Sequence, residues 1–262
     1  MELLLTCALL GIFAGLVAGL LGVGGGLIIV PVLAMLFAAG GFPEARIMQL
    51  AVGTSLATIV FTSISSVRAH HRHGAVLWPV FWRLTPGIVV GAWLGAAVAD
   101  ALPSDRLRLF FGLFELYVAI QMALDIRPRP HRRLPGRVGM GLAGGAIGLV
   151  SAIVGIGGGT LTVPFLVWSN VDMRKAVATS AACGLPIAVA GSLGFLVTGW
   201  GEPDRPAGSI GYLYLPALGA IVVTSVLFAP LGARLAHRLP VKTLKRIFAL
   251  LLFALAGKML LG

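Results

Sequence analysis

The sequence predicts an all-α integral membrane protein. Its eight helical segments form two inverted-topology repeats, each opening with a glycine-broken re-entrant segment followed by three spanning helices. Three observations predict this. Hydrophobic residues fill 58% of the 262 positions and charged residues only 11%, for a mean hydropathy of +0.99. A soluble domain carries about 25% charged residues, and a chain of this size leaves too much surface exposed to hide the apolar excess from water. The apolar residues also fall into runs of membrane-spanning length, and the chain repeats itself.

A spanning helix needs about 20 apolar residues. The segments are 3–38, 47–66, 76–99, 107–124, 139–168, 176–198, 212–233 and 246–261, separated by short polar loops rich in Gly, Pro and Arg. Segments 3–38 and 139–168 are too long for one span. Each is interrupted by glycines, Gly22-Val23-Gly24-Gly25-Gly26 and Gly155-Ile156-Gly157-Gly158-Gly159. A glycine inside a helix costs about 1 kcal/mol relative to alanine, so a triplet breaks it. Each segment therefore reads as two half-helices joined at a glycine turn.

Residues 11–33 and 144–166 match at a constant offset, sharing 11 of 23 positions, the glycine triplets and Pro31/Pro164 among them. Downstream, Ala51-Val52-Gly53-Thr54-Ser55 resembles Ala176-Val177-Ala178-Thr179-Ser180, and Gly74, Pro79 and Gly95-Ala96 recur as Gly211, Pro216 and Gly232-Ala233. The transmembrane domain is thus a duplication: a first repeat over 1–124, a basic linker over 125–138 and a second repeat over 139–262.

Loop charge sets the orientation. The linker carries Arg127, Arg129, Arg132, Arg133 and Arg137, which places it in the cytoplasm. If segment 139–168 crossed the membrane, the basic stretch Arg234–Arg246 would lie outside, against the positive-inside rule. If it enters and returns at its glycine turn, Arg174-Lys175 and 234–246 lie inside and Glu202–Asp204 outside. The same scheme puts the N-terminus outside, Arg68–His73 inside and Asp100–Arg108 outside. Three crossings per half is an odd number, so the halves are inverted. Inverted repeats with broken helices recur among transporters. The expected location is a bacterial-type cytoplasmic (inner) membrane, crossed several times.

The net charge of +11 belongs to loops that obey this rule, not to a nucleic-acid-binding domain, since no basic domain stands outside the apolar runs. Cys7 and Cys183 lie inside apolar runs and read as small packing residues. The N-terminus shows no basic n-region or cleavage site of a signal peptide.

The glycine turns are the main candidate site. Unpaired backbone within a bilayer survives only where protein or a water-filled cavity surrounds it. Helices starting at about Gly26 and Gly159 would present free N–H groups and positive dipole ends to an anion. The candidate substrate-binding residues are Gly22, Gly24, Gly25 and Gly26 with Gly155, Gly157, Gly158 and Gly159, joined by Thr54 and Ser55 and their repeat copies Thr179 and Ser180. The alternative is packing, which the four-residue spacing of Gly11, Gly15 and Gly19 fits. Thr58 and Thr62 share the helical face of Thr54. Hydroxyls there can serve an anion or bond to their own helix. Glu115, mid-segment, is a candidate for a coupling proton, although its repeat counterpart is Leu252. His70, His71 and His73 lack a nearby Cys or acidic partner, so no metal site is expected.

The doubled pattern GxxxGLxxxxxGxGGGxxxVPxL, in a chain of eight segments, resembles the TauE/SafE family of membrane transporters. The resemblance implies transport of a small sulfur-containing anion, such as sulfite or an organosulfonate. The expected activity is movement of such an anion across the membrane by alternating access, without a cofactor. An anion channel with the glycine loops as its filter, or a non-transporting membrane subunit, are the alternatives. An enzyme is not expected, since the spans hold no HExxH or paired carboxylates. The expected partners are the anion and the lipid bilayer. Neither nucleic acid nor a particular oligomeric state is implied.

Overall fold

A computed structural model describes residues 2–21, 25–124, 133–236 and 241–261. The chain is built of helices: α1 (Glu2–Leu21), α2 (Gly26–Ala39), a short 3-10 turn (Glu44–Arg46), α3 (Ile47–Arg72), α4 (Trp78–Ala101), α5 (Ser104–Ala123), α6 (Arg137–Val154), α7 (Gly159–Trp168), α8 (Met173–Thr198), α9 (Leu215–Ala236) and α10 (Val241–Leu261). Among the described residues, four helical stretches, Glu44–Arg72, α4, α6 and α8, are long and apolar enough to cross a membrane. Large apolar side chains such as Leu113, Tyr117, Val223, Leu227 and Leu250 point outward, as they do where lipid is the solvent. This is an all-α membrane protein.

Both long segments break where the glycines stand, and α2 and α7 begin at Gly26 and Gly159. The arms, however, are not halves. α1 has 20 residues and α2 14, while α6 has 18 and α7 only 10. At about 1.5 Å per residue α6 is about 27 Å long, close to a full hydrocarbon thickness. The reason is where the glycines fall: they follow a full-length apolar run and precede a short one. α7 stops at Ser169 and Asn170, whose φ of 64° is the left-handed conformation common just past a helix end. Asp172 then caps α8 by accepting from the amides of Arg174 and Lys175.

Helix α3 runs to Arg72, beyond the expected 66. His71 Nδ1 accepts from Trp78 Nε1 at 3.3 Å across the following turn, which ties the tryptophan into the protein. Ahead of α9, where the sequence predicted helix from 212, two residues on each side pair as antiparallel strands β1 (Ser209–Ile210) and β2 (Leu213–Tyr214). Gly211, at φ 57°, makes that turn.

Helix pairing follows the glycines. A Cβ on Gly87, Gly91 or Gly95 of α4 would strike the backbone at Gly141, Gly145 or Leu149 of α6. The contacts advance together along both helices, so α4 and α6 run parallel with their backbones touching. Gly11 and Gly15 of α1 seat in the same way on Ile221–Ser225 of α9. α3 packs against α8, and α5 against α10. Small residues that let backbones approach are how helices associate where lipid removes the hydrophobic driving force.

One end of the bundle is tied by charge. Arg46, ahead of α3, reaches Glu202 Oε2 at 2.9 Å and Asp100 Oδ1 at 3.9 Å. Tyr212 donates to Asp100 Oδ1 at 2.7 Å. Burial, followed by that hydrogen bond, holds the Tyr212 phenol well above the ordinary tyrosine range.

Replacing Gly91 by Ala is expected to lower thermal stability measurably, by about 1–3 kcal/mol, because the methyl must push α6 away. Gly219→Ala in α9 meets nothing within 4 Å and should leave the melting temperature unchanged or slightly raised. Melting curves of both variants in detergent test this. Equal shifts would show that the α4–α6 approach is not under tension.

Candidate functional site

The two glycine turns meet. A Cβ on Gly26 would stand 2.5 Å from the Gly155 carbonyl oxygen and 3.0 Å from Ile156 Cα, so the start of α2 rests directly on the second turn. Gly155, at φ 75°, ends α6, and its amide and that of Ile156 both bond to the Ser151 carbonyl. Ser55 of α3 donates to the Gly155 carbonyl at 2.9 Å. That bond holds the second turn against the first repeat's own helix.

The glycines differ in what they require. Gly25 sits at φ 71°, where a side chain is strained. Gly158 has an ordinary φ of −61°. Its missing side chain is needed because a Cβ would lie 2.8 Å from Ser180 O and 3.2 Å from Gly184 N of α8. Gly157 is buried within the turn. Gly22 and Gly24 lie outside the described residues, as does the linker stretch 125–132 with Arg127, Arg129 and Arg132.

Neither helix start is capped by a side chain. The first amide bonds come from Ile28 and Ile29 to Gly25 O, and from Thr162 to Gly158 O. Among the described residues no hydrogen bond is made by the amides ahead of them, from Gly26 and from Gly159, as at a helix start without a side-chain cap. No Lys, Arg or His is among the buried residues described, and Glu115 is the one charged side chain there.

The paired Thr-Ser positions are all buried. Thr54 Oγ1 accepts from the amide of Tyr214, just before α9, at 3.0 Å, and Thr179 Oγ1 accepts from the amide of Leu77, just before α4, at 2.9 Å. Each threonine thus stitches its helix to the entry of the helix that packs beside it, leaving only its proton to donate. Thr58 and Thr62 bond back to their own helix, to Ser55 O and Ile59 O. Ser180 Oγ is buried without a hydrogen-bond partner.

The structure adds residues that the sequence reading passed over. Ser151, Thr160 and Thr162 carry buried hydroxyl oxygens with no partner, like Ser180. A signal for them was present: the first repeat has Ala18, Leu27 and Ile29 at the matching positions. Glu115 on α5 is fully buried and neither carboxyl oxygen is partnered. Among the described residues no group of His, Cys, Asp and Glu is arranged to hold a metal ion.

A multi-pass helical bundle with broken helices meeting in its interior is an architecture that recurs among membrane transporters. The comparisons agree. The Sulfite exporter TauE/SafE family model matches residues 7–259, and the chain belongs to that family. It is 38% identical over 98% of both chains to a probable membrane transporter protein of Haemophilus influenzae. A probable membrane transporter protein of Methanocaldococcus jannaschii is 28% identical, covering 99% of this chain and 97% of its own. The probable membrane transporter protein YunE of Bacillus subtilis is 27% identical over 96% and 95%. No solved structure matches the chain.

Thr179→Val removes the acceptor for the Leu77 amide and should destabilise the fold by about 1–3 kcal/mol, the cost of a buried unpaired donor, while Thr179→Ser should restore most of it. Thermal unfolding of the two variants separates these outcomes. Matching losses would assign the effect to packing of the γ-methyl instead.

Proposed function

We propose that this chain moves a small anion, of the sulfite or organosulfonate kind, across the cytoplasmic membrane by alternating access, with the paired glycine turns as its site. The observation that carries the proposal is the meeting of two helix starts without side-chain caps in a buried region that, among the described residues, holds no cationic side chain. Helix N-termini bind anions through free amides and a positive dipole end, and transporters place such broken helices at the membrane midplane.

The two repeats, 1–124 and 139–262, are inverted in this reading, and contacts exchanged between them support it. α1 pairs with α9 as α6 pairs with α4, and Thr54 with Tyr214 as Thr179 with Leu77. Depth points the same way. Arg46, Asp100 and Glu202 bring the start of α3 and the ends of α4 and α8 to one face. α4 and α8 therefore start at the other face, and α6, parallel to α4, starts there too. Segment 137–172 then leaves and returns to one face, cytoplasmic by the charge of the linker.

Alternating access needs an end held by bonds that can break. The Arg46–Asp100–Glu202–Tyr212 cluster joins both repeats and closes the outer end in this reading. Glu115 is the candidate carrier of a coupling proton, because a partnerless carboxyl at mid-span is functional by default. Glu115→Gln should then remove the pH dependence of flux and leave binding intact.

Single cysteines at Gly136 and Asn170 should label from the same face, and one at Asp204 from the opposite face. Labelling of 136 and 170 from opposite faces would end the re-entrant reading. For activity, the purified chain in liposomes should carry sulfite with saturable, trans-stimulated flux. Flux without saturation would favour a channel, and no flux would remove the transport assignment for that anion.

A further inference from the structure

We infer that the anion is held at the second hairpin, around the start of α7, by the hydroxyls of Thr162 of α7, Ser63 of α3 and Ser180 of α8, and that it is bound as a singly charged species. This deepens the anion-carrier reading above and rests on it.

The evidence is a contrast among hydroxyls. Within a helix, serine and threonine commonly bond back to a carbonyl three or four residues earlier, and here Thr58, Thr62, Thr85, Ser192 and Thr224 do so. Ser151, Thr160, Thr162 and Ser180 do not, although their oxygens are buried. A buried hydroxyl without a partner is costly and rare. Thr198 and Ser209 share this state away from the turn, whereas Thr162 and the backbone of Ser180 both lie beside Gly158, which calls for a common partner there.

Their places converge. Thr162 Oγ1 lies 3.3 Å from where a Cβ on Gly158 would stand, and the Ser180 carbonyl 2.8 Å from that point. A Cβ on Gly184 would meet Ser63 Oγ at 3.3 Å and the Gly158 amide nitrogen at 3.4 Å. Hydroxyls of α3 and α7 thus lie beside the start of α7, where α8 brings the backbone of Ser180, whose own hydroxyl is buried without a partner, and Gly158 and Gly184 keep the two backbones close. Thr162 and Ser180 are fully or almost fully buried.

The first hairpin has no such set. Its matching positions are Ala18, Leu27 and Ile29, and the hydroxyls nearest to the turns from α3 are already engaged, Ser55 by Gly155 O and Thr54 by the Tyr214 amide. The start of α2 is a wall that seats the second turn. Duplication made two equivalent hairpins, and polar substitution made one of them the binding element.

Charge follows from composition. The cradle offers neutral donors, and no cationic side chain is buried among the described residues. The cost of transferring an ion out of water rises with the square of its charge, so neutral donors that suffice for a monoanion fall short for a dianion. The hairpin packs tightly on α8 in this state, so the anion enters when the two separate.

The test is binding of methanesulfonate, singly charged at neutral pH, and of sulfate, doubly charged, to the purified full chain, followed by calorimetry. Wild type is expected to bind methanesulfonate, and sulfate at least tenfold more weakly. Ser180→Ala and Thr162→Val should each weaken methanesulfonate about tenfold or more, as for a lost hydrogen bond to a charged group. Thr162→Ser should retain affinity, and so should Ser192→Ala, whose hydroxyl already bonds to Val189 O. Melting curves on the same samples show which variants remain folded. Unchanged affinity in folded Ser180→Ala and Thr162→Val would overturn the cradle while leaving the anion carrier standing. Equal or tighter sulfate binding would overturn the charge selection. Failure of wild type to bind either anion would overturn the carrier reading together with the inference.

Discussion

The seat of Gly26 on the Gly155 carbonyl is the contact on which the rest of this structure depends. Two chain breaks inside an apolar medium expose backbone groups that lipid cannot satisfy. They persist because each break shields the other and because Ser55 satisfies the carbonyl at the junction. Any side chain at position 26 would separate the turns. Once they are joined, the helices around them have little freedom: α3 and α8 must flank the junction, and α1 and α6 must approach it alongside α9 and α4.

Glycine performs three tasks here, which only geometry separates. Along α1, α4 and α6 it lets backbones touch, replacing the hydrophobic adhesion that a bilayer cannot supply. At Gly25 and Gly155 it adopts a left-handed backbone that other residues resist. At Gly26 and Gly158 its φ matters less than the space its absent side chain leaves to a neighbouring chain. The candidate site is therefore built mostly of backbone, with hydroxyls as its polar side chains, and the formal charges described gather at the ends of the bundle, with Glu115 apart.

The breaks themselves were legible in the sequence, because three glycines in a row leave little alternative, and α2 and α7 start at the residues that pattern marks. The unequal arms were not, since apolar length fixes where a helix is allowed to run and not the depth at which it turns. The engagement of Thr54 and Thr179 with Tyr214 and Leu77 joins residues more than a hundred positions apart, beyond any local pattern. The cluster of Arg46, Asp100, Glu202 and Tyr212 escaped for the same reason: loop charge told the side of the membrane and not the partners. The replacement of Leu27 and Ile29 by Thr160 and Thr162 was visible in the repeat alignment. Its meaning came only with the buried, partnerless oxygens.

A site made of backbone is best watched at the backbone. Amide hydrogen exchange of the full-length protein, with and without methanesulfonate, measures the two turns directly. If the junction of the broken helices holds the anion, exchange at Gly158–Leu161 should slow on binding, with little change along the outward faces of α5 and α10. Protection confined to the bundle ends, with the turns unaffected by a bound anion, would contradict the account.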